Sequence, residues 1–308
     1  MKFVRYQVAQ EPARLGIWSR ESVIDLEKSY QRYRRDQARP VPALGRLWKQ
    51  ASLRALIQCQ EVLAPFLTRL RCDDEDIVVR LRRTPRVRLC APLHDPGRFI
   101  GVGLNYRDHA EEIGQPIPTF PPLFAKWANS IVGPGTPIVR PIGCQALDYE
   151  AELGVVMGRR ADRVSVESAI QYVFGYTVIN DISARDWQFR TSQWLAGKVS
   201  DGFAPMGPCV VESHDISDPQ NLAIETYVND KLRQNGHTRN MIFGVAQLIS
   251  LLSEIVPLEP GDVIATGTPS GVGMSCRPPQ YLFPNDVVRI VIDEVGVLEN
   301  TVADPHSI

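Results

Sequence analysis

The spacing of apolar positions changes several times along this chain, and each change marks an element. Residues 3–8, 15–18 and 23–26 have the β-branched and aromatic content of short strands. Residues 30–39 are basic and polar, the pattern of a solvated helix or loop. Leu44, Leu47, Trp48, Leu53, Ile57, Leu63, Phe66 and Leu67 then recur at helical spacing, and Pro65 is expected to start or kink a second helix there. Residues 80–88 carry five arginines alternating with Leu and Val, which predicts an exposed edge strand running into a linker. The prolines at 92 and 96 mark a boundary. The pattern therefore divides into a small α/β N-terminal domain, 1–93, and a larger unit, 94–308.

The larger unit is dominated by strands. Residues 99–104 read as a buried strand, and Asn105 as the N-cap of a two-turn helix stopped by Gly114. That helix places His109 and Glu112 at i and i+3, on one face. Four prolines in residues 115–122 make a stiff, irregular segment of the kind that serves as a lid. Residues 148–156 read as one strand. Side chains two apart on a strand share a face, so Glu150 and Glu152 project together, about 6 to 7 Å apart, while Tyr149, Ala151 and Leu153 point into a core. Such a carboxylate pair either faces water or shares a cation. A helix is expected over 165–172 and a strand over 175–182, with Asp181 where the apolar run gives way to polar sequence. Lys198 lies in a Gly- and Pro-rich loop. Strands at 223–228 and 286–292 and an amphipathic helix over 243–255 follow. The loop at 266–273 offers backbone N–H groups and hydroxyls to an anion, but it is not a P-loop, because no Gly-Lys-Ser/Thr follows its glycines.

Composition narrows the function classes. The 308 residues are 44% hydrophobic, enough for a sizeable core. With 34 basic and 35 acidic residues the net charge is -1, so no global field draws the chain to nucleic acid or to a membrane surface. No apolar run approaches 18 residues, and the first residues lack a signal-peptide core. The six cysteines are scattered without metal-ligand spacing, as expected of core residues in a reducing, cytoplasmic or organellar compartment.

Taken in order, His109-x-x-Glu112, Glu150-x-Glu152, Asp181, Gln188, Lys198 and Thr266-Gly267-Thr268-Pro269-Ser270-Gly271 resemble the fumarylacetoacetate hydrolase family over roughly residues 98–302. The wording around them carries the likeness: Gly103-Leu104-Asn105-Tyr106, Asp148-Tyr149-Glu150-Ala151-Glu152-Leu153, Asn180-Asp181-Ile182-Ser183-Ala184-Arg185-Asp186 and Gly261-Asp262-Val263-Ile264-Ala265-Thr266-Gly267-Thr268-Pro269. The resemblance implies an α+β, β-rich fold, with a mixed β-roll catalytic domain behind the small N-terminal domain, and a homodimer. It implies a divalent cation, Mg²⁺ or else Mn²⁺ or Ca²⁺, on Glu150, Glu152 and Asp181. Hard oxygen ligands with no Cys or His suit such an ion. It further implies His109, oriented by Glu112, as general base, Lys198 and Gln188 as oxyanion partners, Gly267 and Thr268 as carboxylate holders, and Arg107 as a further anion contact. The expected reaction is hydrolysis of a C–C bond in a β-diketone or acylpyruvate-type keto acid. Oxaloacetate-type decarboxylation and enol–keto tautomerisation or isomerisation on the same site are the alternatives, and a non-catalytic metal-binding homologue stands behind both. His237 departs from the Asn usual in such sequences, and it either touches substrate or adjusts a turn.

Overall fold

A computed structural model describes residues 1–19, 22–37, 44–73, 78–80 and 87–306. Two sheets carry the fold. In the large one, strands Ala204–Glu212, Val173–Asn180, Ala151–Met157, Val263–Ala265, Phe99–Val102 and Leu123–Ala125 lie in that spatial order. All neighbours pair antiparallel except Val263–Ala265 with Phe99–Val102, which run parallel. The second sheet, of five strands among the described residues, orders Lys231–His237, Ala223–Val228, Val287–Ile292, Gly296–Ala303 and Ile138–Val139. The hairpin joining its first two strands turns at Asn229 and Asp230, both with positive φ, as a tight turn between twisted strands requires.

Strand Ala151–Met157 is buried along its whole length, so its alternation separates two cores rather than core from water. Ala151, Leu153, Val155 and Met157 share one core with Ile224, Ile290 and Leu298 of the second sheet and with Val245, Leu248 and Leu252 of helix Val245–Ile255. Val156 belongs to another core, with Phe3, Leu53, Leu56 and Phe66 from the N-terminal region.

That region holds strands Lys2–Val8, Arg14–Ser19 and Ser22–Asp25 and helices Leu26–Arg35, Gly45–Gln50, Leu53–Gln58 and Gln60–Asp73. Pro65 falls inside the last helix instead of starting it. Residues 38–43 and 81–86, which include most of the arginine run, lie outside the described residues. The two ends of that run are described: Val78–Arg80 is the terminal strand of the large sheet, and Val87–Cys90 pairs with Lys2–Val8. The boundary expected near residue 93 separates neither sheet nor core: Lys2 and Phe3 pair antiparallel with Val211 and Val210.

One expected element is broken. Residues 148–156 do not form a single strand. Leu147–Asp148 pairs with Ser183–Ala184, Ala151–Met157 pairs with Val173–Asn180, and the ladder is interrupted at Tyr149-Glu150 opposite Asp181-Ile182. The break is bridged by the Asp181 N–H donating to the Glu150 carbonyl at 2.8 Å.

Candidate metal centre and active-site cavity

The interruption is what brings the carboxylates together. Glu150 and Asp181 leave the two sides of the broken ladder, and Glu152 follows on the resumed strand. Oxygens of all three lie within 4.8 Å of one another, and all three residues are buried. Their counter-charges come from three other segments. Lys198 donates to Glu150 Oε2 at 2.8 Å and to Asp181 Oδ2 at 2.6 Å. Lys126, at the end of strand Leu123–Ala125, donates to Asp181 Oδ1 and to the Lys198 carbonyl. Arg185 donates to Glu150 Oε1 at 2.6 Å, to Asp148 Oδ2 at 2.9 Å and to Gln188 Oε1 at 3.0 Å.

Glu152 differs from the other two. Its Oε2 accepts the Gly267 N–H at 2.8 Å, but among the described residues it has no ion-pair partner. Burial, reinforced by Asp181 and Glu150, holds its carboxyl well above the usual range. Burial also works against the charge on Glu150, but Lys198 and Arg185 outweigh it and hold that group below its ordinary value. Burial lowers Lys126 despite Asp181, while on Lys198 the pull of Asp181 and Glu150 overcomes burial and raises it. A buried carboxylate without an ion-pair partner of its own, grouped with two others, fits a divalent cation. The donors are all carboxylate oxygens, the hard kind that such cations take.

Above this floor lies a cavity of about 440 Å³ that reaches His109, Glu150, Glu152, Gln188, Lys198 and Thr268. His109 is carried by helix Arg107–Glu112 and is 7% exposed. Its Nδ1 lies 3.1 Å from Glu112 Oε2, and the Gly271 N–H donates to the other Glu112 oxygen at 2.9 Å. Burial opposes ionisation of Glu112, but the bonds from His109 and Gly271 lower it overall, so the carboxylate is the acceptor. Nδ1 then carries the proton and Nε2 is the basic atom, a tautomer assigned from the partner. Ser270 Oγ donates to Asp108 at 3.1 Å and ties the loop to the same helix. Gln234 secures the loop from below, donating to Thr268 Oγ1 at 2.8 Å and to the Pro269 carbonyl at 2.9 Å.

Most of the expected site residues converge here, and some differ in detail. Asn105 does not cap the helix, whose N-cap is Tyr106; its amide bonds the backbone of Phe243 and Thr266 instead. The Gly267 N–H is committed to Glu152 and so is not offered to a substrate carboxylate, whereas Thr268 does line the cavity. Arg107 is exposed on the first residue of its helix and is not among the lining residues. His237 adjusts a turn: its Nδ1 accepts the Arg239 N–H, and it does not line the cavity. Lys126, Arg185 and Asp148 carry no spacing signal that marks them in advance, apart from Arg185 and Gln188 standing three apart on the one-turn helix Arg185–Gln188.

Among the described residues no helix is long and apolar enough to cross a membrane. The profile of the fumarylacetoacetate (FAA) hydrolase C-terminal family matches residues 98–303. The mitochondrial oxaloacetate tautomerase fahd2 of Xenopus laevis is 47% identical over 218 residues, covering 70% of this chain and 68% of that protein. Among solved structures, the fumarylacetoacetate hydrolase of Exiguobacterium antarcticum aligns over 99% of both chains with 36% identity and a TM-score of 0.78. The maleylpyruvate hydrolase of Sphingobium sp. SYK-6, in complex with manganese(II) and pyruvate, aligns over 99% of both with 26% identity and a TM-score of 0.75. By sequence, fold and the acidic triad at its centre, the chain belongs to the fumarylacetoacetate hydrolase family.

Proposed function

We propose that this chain is a divalent-cation-dependent hydrolase that cleaves a C–C bond in an acylpyruvate or related β-diketo acid. The observation that carries the reading is the presence in one cavity of the Glu150, Glu152 and Asp181 cluster and of a base already oriented by a carboxylate, His109 with Glu112. When bound, a hard cation, Mg²⁺ or Mn²⁺, supplies Lewis acidity toward a 2-oxo acid and offsets the charge of its enolate.

The remaining steps belong to the chain's own residues. His109 Nε2 takes a proton from water as the oxygen adds to the acyl carbonyl carbon. Glu112 holds the imidazole in place and stabilises the imidazolium that results. The bond between that carbon and the adjacent methylene breaks, and its electron pair passes to the pyruvate fragment as an enolate. The imidazolium returns its proton to the methylene carbon of that enolate. Acylpyruvate and water thereby give a carboxylic acid and pyruvate. Lys198 Nζ, fixed between Glu150 and Asp181, presents positive charge where oxygen becomes negative, and Gln188, anchored by Arg185, faces the same cavity.

A second reading, tautomerisation or decarboxylation of oxaloacetate, is favoured by the 47% identity to an oxaloacetate tautomerase. There the same dyad moves a proton to or from carbon without adding water. The two separate in one experiment. Protein stripped with a chelator and reloaded with Mg²⁺ or Mn²⁺ is offered acylpyruvates and oxaloacetate, and pyruvate release and enol absorbance are followed. Pyruvate from acylpyruvates is expected. Consumption of oxaloacetate alone reverses the ranking, and no metal-dependent turnover of either sinks both.

A further inference from the structure

The cavity is far from uniform. Its floor holds the charges, and its outer part is built of apolar side chains. Two glycines make that wall possible. A Cβ on Gly101 would lie 2.3 Å from the Phe124 ring, and one on Gly103 would lie 2.1 Å from the Trp194 ring, so both rings close directly on bare backbone. Phe124 and Trp194 pack together with centroids 6.0 Å apart, and Lys198 Nζ lies 4.9 Å from the centre of the Phe124 ring. The aromatic wall thus begins at the reacting centre and runs outward, joined by Ile113, Phe189 and Met274.

Cationic groups do not follow it. Lys198 and Arg185 are the Lys and Arg residues lining the cavity among the described residues, and both are bound to floor carboxylates. From this we infer that the part of the substrate beyond the reacting carbonyl is an uncharged, apolar chain or ring. The substrate is a 2-oxo monoacid with an apolar acyl tail, not a dicarboxylate, and Phe124 and Trp194 are the residues that select it. A second carboxylate on the tail would lie against aromatic and aliphatic surface, away from Lys198, His109 and the unpartnered Arg185 Nη2 at the reacting centre, with only the Gln115 amide as a further polar lining group. An apolar tail gains by burial there, in a cavity whose volume falls in the ~300–1,000 Å³ range of small-molecule sites. The inference rests on the 2-oxo acid reading of the floor and adds the identity of the tail.

The test uses full-length protein loaded with Mn²⁺. Values of kcat/KM are compared for acylpyruvates of matched length ending in a methyl group or in a carboxylate, hexanoylpyruvate against a carboxylate-ended counterpart. Calorimetry compares 2-oxohexanoate with 2-oxoadipate. The apolar member is expected to win by roughly tenfold or more in each pair, and Trp194→Arg to lower that ratio at least tenfold. Because a ratio is read, partial loss of folded enzyme does not imitate the effect. Equal or reversed preference in the wild type overturns the inference, as does a ratio unmoved by Trp194→Arg. If acylpyruvates bind but none is cleaved, the hydrolase reading fails and calorimetry alone decides the tail. If neither 2-oxo acid binds, the inference falls as well.

Discussion

At the scale of single residues, Glu152 carries the clearest consequence. It is buried, it faces two other carboxylates, and among the described residues its side chain is held by the Gly267 N–H. Glu152→Gln keeps the shape and is neutral at every pH, so it escapes the penalty that burial, Asp181 and Glu150 place on a charge there. Without metal the variant should therefore be at least as stable as the wild type. With metal at a hundred times its dissociation constant the wild type should gain about 2.7 kcal/mol and the variant much less. Thermal melts with and without Mn²⁺ read this crossover, and equal metal-induced shifts would remove Glu152 from the ligand set. His109→Ala should slow turnover about a hundredfold or more if Nε2 is the base; near-wild-type rates would end that role. Glu112 makes a pH prediction. Its pKa lies below the ordinary 4.5, so its contribution to stability is present above that value and is lost as pH falls through the lowered one. The melting temperature of the wild type should exceed that of Glu112→Gln at neutral pH, and the gap should close under acid. A gap that stays constant with pH would contradict the dyad. The residues named here were legible because their chemistry is written in spacing: Glu-x-Glu, His-x-x-Glu, and an Asp at the end of an apolar run. Lys126 was not. A lone lysine after Leu123-Phe124-Ala125 reads as surface, and only the tertiary fold brings it beneath Asp181.

The elements show how the third carboxylate joins the pair. On one strand face the backbone positions of Glu150 and Glu152 are about 6 to 7 Å apart, within reach of one ion for two long side chains, but Asp181 belongs to the neighbouring strand. Interrupting the ladder at Tyr149-Glu150 and Asp181-Ile182 lets the carboxylates turn toward one another, and Asp148 pins the far side by accepting the N–H groups of Gly273 and Met274. The alternation in residues 148–156 predicted the strand but not its break, since interruption depends on a partner segment some thirty residues away. The same non-locality hid the roles of Gly101 and Gly103, which local pattern reads only as part of a buried strand. Their purpose is contact, and that gives a prediction. Gly103→Ala should displace the Trp194 ring, costing about 1–3 kcal/mol by overpacking, and should weaken binding of apolar-tailed substrate. Chemical denaturation measures the first effect and KM the second. A variant unchanged in both would mean that the ring has room the packing does not show.

For the whole molecule, the decisive feature is that the large sheet passes through the boundary near residue 93. The change of pattern there was legible in the sequence, because helical spacing gives way to strands and prolines. The pairing across it was not, because strand partners are chosen by the fold and not by neighbours in the chain. Lys2–Val8 lies beside Ala204–Glu212, and the apolar faces of Val156, Phe174, Ile179, Met206, Val210 and Val263 belong to a core completed by Phe3, Leu53, Leu56 and Phe66. Removing residues 1–93 would uncover that face and leave a bare strand edge, a template for association with other chains. Each large side chain left in water forfeits about 1.5–3 kcal/mol, and a handful of these exceeds the 5–15 kcal/mol that usually holds a protein folded. The truncated chain 94–308 should therefore be insoluble or aggregated even with Mn²⁺ present, although every proposed ligand and the dyad lie within it. Soluble expression, gel filtration and a cooperative melt are the measurements. A monomeric, cooperatively folding 94–308 would show that the N-terminal segment is an appended domain after all. Aggregation that Lys or Glu substitutions on the uncovered face reverse would show that the catalytic half needs the segment for burial and not for chemistry.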